Sequence, residues 1–280
     1  MKKWREVFPV DLMSRVLEVS RSGYYDWLGR GPSARAREDE RLKIEIRAAH
    51  QRSRETYGPR RLQPELRAIG LQAGRDRIAR LRRSMGLYCR QRRRFKVTTD
   101  SRHNLPVAPN LLNQDFRASA PNQVWVTDLT YIATGEGWLY LAGIKDIFTC
   151  EIVGYAMGER MKPELTGKAL FRAAQQHRPP AGIIHHSDRG SQYCAEEYQD
   201  LLKQFQFRVS MSRKGNCFDN APMESFWGSL KTEMVHHRNF STRAEAESAI
   251  REYIEVFYNR QRRHSRLGYQ SPVVFARAFS

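Results

Sequence analysis

From residue 124 to the end, the sequence alternates between two kinds of run. Segments rich in β-branched and aromatic residues give way to segments with a helical period. Val124–Ile132 is β-rich, Thr134-Gly-Glu-Gly reads as a hairpin turn, and Trp138–Phe148 and Ile152–Met157 read as two further strands. Glu164–His177 is helical, Gly182–His186 a short buried strand, Tyr193–Phe205 a helix and Phe207–Met211 another strand. Two helices follow, Ala221–Val235 and Thr242–Asn259. Three meander strands followed by alternating helices predict an α/β fold: a mixed five-stranded sheet with helices on both faces.

The first 120 residues are different in kind. They carry 28 basic and 13 acidic side chains, a balance of +15, whereas residues 121–280 carry 20 and 17, a balance of +3. Such a surplus calls for a polyanionic partner. Asp11–Leu28 reads as two short helices around Ser20-Arg-Ser-Gly, with Leu12, Val16 and Leu17 in the first and Tyr24, Trp27 and Leu28 in the second. Glu38–Arg52 is a charged helix. Pro59–Ile69 then places Leu62, Leu66 and Ile69 on one stripe, and Gly74–Met85 places Ile78, Leu81 and Met85 on another. Arg80 and Arg83 project from the far side of that second helix, with Arg77 at its flank. Two short helices joined by a Gly-containing turn, the second studded with Arg, are the pattern of a helix-turn-helix. A plain helical hairpin with a solvated face is the bland alternative. The nearly uniform positive sign, continued through Arg92, Arg93, Arg94 and Lys96, favours DNA. The expected organisation is a short helical unit over 1–35, an all-α helix-turn-helix region over 36–98, an extended Pro-containing linker over 99–121, and a catalytic core over 122–280 that ends in a basic helix.

Several classes drop out. The longest apolar run, Gly137–Ile144, is far short of the ~20 residues that span a bilayer. Cys89, Cys150, Cys194 and Cys217 lie far apart with no Cys-x-x-Cys spacing, so neither a disulfide framework nor a zinc finger is indicated. A soluble protein of a reducing, cytoplasmic compartment is expected, with no membrane partner.

Three carboxylates stand out by context. Asp128 lies inside the first strand, flanked by large apolar and β-branched residues, where an unpaired charge is costly. Asp188 follows Gly-Ile-Ile-His-His, where the chain leaves the sheet and where ligands of open α/β sheets bind. Glu224 sits in the first turns of a helix and shares a face with Lys231 two turns on. Singly, each has an ordinary reading as a turn stabiliser, a helix-dipole partner or one half of a core ion pair. Together, a strand acid, a strand-end acid and a helix-start acid can converge at one sheet edge. Convergent carboxylates repel unless a divalent cation neutralises them. Oxygen-only ligands favour Mg2+ or Mn2+ over zinc. Two such ions would serve an in-line displacement at phosphorus, with water or a DNA 3′-hydroxyl attacking.

At this point the sequence resembles the DDE transposases of bacterial insertion sequences whose catalytic protein is read from a second, overlapping frame. It is also similar, more distantly, to the retroviral integrase core with its RNase H-like fold. The segments that carry the resemblance are Trp125-Val-Thr-Asp-Leu-Thr-Tyr-Ile, Gly137-Trp-Leu-Tyr-Leu-Ala-Gly-Ile-Lys-Asp, His186-Ser-Asp-Arg-Gly-Ser-Gln-Tyr, Gly215-Asn-Cys-Phe-Asp-Asn-Ala-Pro-Met-Glu-Ser-Phe-Trp, Tyr258-Asn-Arg-Gln-Arg-Arg-His-Ser and Leu267-Gly-Tyr-Gln-Ser-Pro. Tyr57-Gly-Pro-Arg-Arg-Leu adds a match in the helix-turn-helix region, and the 35 residues between Asp188 and Glu224 are the family's interval. The resemblance implies an RNase H-like core, a catalytic and metal-binding triad of Asp128, Asp188 and Glu224, and Lys231 near substrate phosphate. It implies metal-dependent cleavage at element ends and strand transfer, on double-stranded DNA, by a homo-multimer in a bacterial, nucleoid-associated setting. The upstream-frame product is a further possible partner. Phe148-Thr-Cys departs from the family's usual Phe-Ser-Arg, at a point that holds no catalytic acid.

The remaining candidates start from plain readings. Asp146 is expected to order a strand end, and Asp219, beside Asn220, to cap a helix. His185 and His186 are expected to pack or to stand behind the acids. Tyr258, Asn259, Arg260, Arg263 and His264 read equally well as a solvated basic terminus or as DNA-backbone contacts. Tyr193 lacks the Arg/His cluster that a tyrosine recombinase needs. The competing functions are a nuclease using the same acids with water alone, and a helix-turn-helix regulator without catalysis.

Overall fold

The computed structural model describes residues 1–90, 106–213 and 216–279. Five α-helices open the chain: α1 Val10–Val16, α2 Arg21–Gly29, α3 Ala34–Arg52, α4 Pro59–Ala68 and α5 Arg75–Ser84. Three antiparallel strands follow, β1 Val124–Thr134, β2 Gly137–Asp146 and β3 Ile152–Gly158. After them come α6 Pro163–His177, β4 Ile184–Ser187, α7 Ser191–Cys194, α8 Glu196–Gln204 and β5 Arg208–Met211. The last helices are α9 Ala221–Glu233, α10 Arg243–Glu252 and α11 Pro272–Ala276. The sheet order is β3-β2-β1-β4-β5, with β4 parallel to β1 and to β5. This is the mixed five-stranded sheet expected from the alternation of patterns.

The period of two along β1 assigns its faces. Val124, Val126 and Ile132 point toward α9 and α10, and Trp125 points toward α6 and α8. Helices therefore cover both faces. The α9 side holds more than the core of the sheet, because Leu42, Ile46, Leu62, Leu66, Ile78 and Leu81 of α3–α5 belong to the same apolar cluster. The α3–α5 unit is thus packed against the helices that cover this face of the sheet, with Arg54 paired to Glu252, Arg61 to Glu233 and Glu65 to Arg263, and Leu112 from the connecting segment joins the cluster.

Several local expectations are corrected. Tyr193–Phe205 is two helices, because Ala195 is extended (φ −63°, ψ 139°) between α7 and α8. The helix expected to run through Asn259 leaves α-geometry after α10 and makes one π-helical turn, Tyr253–Tyr258. Ile69 lies beyond the last residue of α4 and is exposed, so the α4 stripe buries only Leu62 and Leu66. In the first two helices only Tyr24 and Ser14 are buried, while Leu12, Val16, Leu17 and Trp27 face outward. Among the described residues, no helix is long and apolar enough to cross a membrane.

Candidate active site

β1 places Asp128 on the α9 side of the sheet, opposite Gly143 of β2. Its Oδ1 accepts the backbone N–H of Leu129 (2.8 Å) and its Oδ2 accepts the indole N–H of Trp227 on α9 (3.0 Å). Asp188 is the first residue after β4, and its Oδ1 accepts the Gly190 N–H (2.9 Å) in an Asx-type turn that leads the chain off the sheet. Burial and the neighbouring Asp188 charge push the Asp128 carboxyl well above the ordinary carboxylate range, and Glu224 adds a smaller push in the same direction. Partial burial also raises Glu224. Among the described residues, no Lys or Arg is within ion-pair distance of Asp128.

Glu224 lies exposed in the first turn of α9, near enough for its charge to add to the push on Asp128, and α9 is fastened at both ends. Pro222 opens the helix, where a missing N–H costs nothing. The Asn220 amide donates to the Thr127 carbonyl of β1 (3.0 Å), and the buried Lys145 ammonium donates to the Pro222 carbonyl (3.1 Å). Gly143 leaves the space into which the Trp227 ring fits; a Cβ there would lie 2.7 Å from Trp227 Cη2. At the far end, Glu233 receives Arg262 in a fork (2.7 and 2.8 Å), with both side chains buried, and it also accepts from Tyr253 (2.7 Å). Lys231 stands over the Tyr131 ring at 5.5 Å and feels the Asp128 charge. The three acids do not form a closed cage: among the described residues, no three His, Cys, Asp or Glu side chains are gathered tightly enough to enclose an ion. What the site offers is carboxylate oxygens, with Asp128 and Asp188 lining one cavity and the Asp128 charge disfavoured by burial and then by Asp188, and this donor chemistry fits a hard divalent cation.

The other expected residues divide. Asp146 orders the end of β2, accepting from Thr149 and from the Asn122 N–H. Asp219 is not a helix cap. Its buried carboxylate takes a fork from Arg213 together with hydrogen bonds from the Asn110 and Gln114 amides of the connecting segment. His185 and His186 are fully buried, His185 against Tyr198 and His186 between Ser210 and Ser212, and burial holds both well below the usual histidine range. Arg77 and Arg80 both pair with Asp39 of α3, and Arg77 also with Glu38, while Arg83 is exposed. Arg92, Arg93 and Arg94 lie outside the described residues.

The basic terminus is mostly built inward. Tyr258 and Asn259 are buried, and Asn259 exchanges two hydrogen bonds with the Ile152 backbone. Arg263 pairs with Glu65 of α4, and His264 meets the Tyr258 hydroxyl. Arg260 alone of the five is exposed. Sequence reasoning missed Trp227, Lys145 and the Arg262–Glu233 pair. One signal was available: a lone glycine inside a strand, Gly143, marks a close approach of another element.

Integrase core domain models match residues 118–217 and 224–278, and an HTH-like domain model matches residues 37–95. The chain is 67% identical over 263 residues to the insertion element IS600 uncharacterized 31 kDa protein of Shigella sonnei, covering 94% of this chain and 97% of that one. It is 42% identical over 277 residues to the transposase InsF for insertion sequence IS3A of Escherichia coli (strain K12), covering 98% and 96%. Among solved structures, the HTLV-2 integrase catalytic core domain in complex with magnesium aligns at TM-score 0.45 and 15% identity, over 57% of this chain and 99% of that one.

Proposed function

This chain belongs to the insertion-sequence transposases and is a DNA transposase of the DDE type, and from that premise we propose that Asp128, Asp188 and Glu224 hold its divalent ions, two Mg2+ or Mn2+ per site. The carrying observation is the adjacency of Asp128 and Asp188 with no basic side chain in contact with Asp128. Bound there, the ions would activate the attacking oxygen and stabilise the leaving one at a phosphodiester. The protein's own part is placement. Leu129 N–H and Trp227 fix the Asp128 carboxylate, the Gly190 N–H fixes Asp188, and the fastened α9 carries Glu224 toward them. Lys231, on the same helix face, offsets phosphate charge next to the acids.

Water at this site gives cleavage at the element ends, and a DNA 3′-hydroxyl gives strand transfer. Arg83 and Arg260, exposed on the two halves of the molecule, and Arg92, Arg93 and Arg94 serve as contacts to the DNA backbone. Arg77 and Arg80 act from their Asp39 pairs, and Arg263 and His264 support the seam with α4. Joining two element ends calls for a multimer on double-stranded terminal repeats and target DNA, with the upstream-frame product as a further partner and a cytoplasmic, nucleoid-associated location. Labelled element-end DNA incubated with a plasmid and Mg2+ or Mn2+ tests the assignment. Joined product is expected with the wild type and none with Asp188→Asn, which still binds the DNA. Joining by Asp188→Asn at the wild-type rate would overturn the assignment.

A further inference from the structure

β4 pairs with β1 only from Val124 to Val126. Beyond Thr127 that edge of β1 has no strand beside it among the described residues, and the chain turns away through Gly190 into α7. A cavity of about 160 Å³ opens between them. Asp128 and Asp188 stand at its border, and Tyr131, Tyr140, Met161 and Gln192 contribute to its walls. Neither Lys nor Arg lines it. At the end of the cavity away from the acids, the walls of Tyr131, Tyr140, Met161 and Gln192 offer no charge to pair with a phosphate, so that end suits a base and not the backbone of DNA.

Its chemistry suits a flat, polar-edged ring. Tyr131 and Tyr140 are half-buried, and the Tyr131 ring is held by the edge of Trp138 at 4.7 Å. The Met161 thioether adds a soft apolar contact. The Gln192 side-chain amide makes no hydrogen bond among the described residues, which leaves a donor and an acceptor for a base edge. Enzymes that act within a duplex often draw a nucleotide out of the stack and shelter its base between aromatic and apolar side chains. We propose that this cavity receives one unstacked nucleobase, from a nucleotide flanking the scissile phosphate, between Tyr131, Tyr140, Met161 and Gln192. The assignment rests on the active-site reading above, since it places that phosphate at Asp128 and Asp188.

The test pairs protein and DNA changes. Dissociation constants are measured for the element-end duplex, intact or abasic at each nucleotide flanking the scissile phosphate in turn, with the wild-type chain, Gln192→Ala and Tyr140→Ala. On the intact end, Tyr140→Ala is expected to bind about tenfold more weakly than wild type, and Gln192→Ala several-fold more weakly. On the end that lacks the sheltered base, all three bind alike. A merely structural role weakens both DNAs by the same factor, and that result, or equal binding of the intact end by all three chains, overturns the pocket. Gln192→Ala serves as the variant least able to disturb folding, because the side chain makes no hydrogen bond to lose. Joining by the wild type and by Asp188→Asn, run on the same DNAs, bears on the acids alone, so the pocket can fail while the active-site reading stands.

Discussion

A single methyl group at position 143 should unseat the indole that holds Asp128. The Cβ of Gly143→Ala would lie 2.7 Å from Trp227 Cη2, 3.2 Å from Cζ2 and 3.3 Å from Met223 Cε. Carbon contacts settle near 3.5–4.0 Å, so the ring must retreat by about 1 Å. The Phe226 ring packs beside it at 4.8 Å, and α9 cannot move back without stretching the Asn220 and Lys145 bonds at its start. A retreat of about 1 Å takes the Trp227–Asp128 hydrogen bond from 3.0 Å past hydrogen-bonding range. Overpacking costs about 1–3 kcal/mol and the lost bond to a carboxylate about 1.5–3 kcal/mol. Because relieving one strain feeds the other, a combined loss of about 3 kcal/mol is expected. Joining should fall by about 100-fold, the scale of a 1 Å misplacement at a reacting centre. Urea unfolding and the plasmid-joining assay read the two effects. Trp227→Phe removes the hydrogen bond together with the Cη2 and Cζ2 atoms that a Cβ at 143 would strike, so combined with Gly143→Ala it should cost less than the sum. Wild-type joining by Gly143→Ala, with an unchanged unfolding midpoint, would show that the indole has room to move and that the account of Asp128 is wrong.

Glu233→Ala strands the buried Arg262 guanidinium and should cost about 3–5 kcal/mol in urea unfolding; a loss under about 1 kcal/mol would mean that Arg262 finds water or another carboxylate. Burial lowers Lys145 from 10.5 to about 8, so the folded chain sheds that proton before the unfolded one does. The unfolded state binds more protons between those values, and the wild type should therefore gain about 3 kcal/mol relative to Lys145→Met as pH rises from 8 to 10.5; a flat difference in unfolding free energy across that window refutes it. Arg213 and the amides around it hold Asp219 far below the usual carboxylate range. Its contribution is present above the unfolded value of 3.8 and is lost as pH falls toward the lower folded one, so the deficit of Asp219→Asn should be full at pH 7 and shrink in acid; a pH-independent deficit in thermal melts would count against the charge as its source.

Of the three acids only Asp128 breaks a local rule, by interrupting an apolar strand; Asp188 at a turn and Glu224 in a helix's first turn are locally ordinary, and only their combination and the family resemblance single them out. The arginines were not readable in the same way. Arg77, Arg83 and Arg263 look alike along the chain, yet one is paired with Asp39, one is exposed and one meets Glu65. The partner of Arg263 lies 198 residues away, so nothing in its neighbourhood announces it. His264 and Asn259 likewise sit in a basic run that suggests a solvated end, yet Asn259 bonds the buried Ile152 backbone and His264 the buried Tyr258 hydroxyl.

The sequence by itself determined the strand and helix runs, the charge asymmetry and the spacing of the three acids, because backbone periodicity and residue type are properties of neighbours in the chain. Only the tertiary structure decided which charges are spent inside the molecule, why Gly143 must lack a side chain, and how Trp227, Asn220 and Lys145 fasten α9 to the sheet. Those outcomes depend on which surfaces lose water together, and that is settled when α9 and α10 cover one face of the sheet and α3–α5 pack against that helical layer.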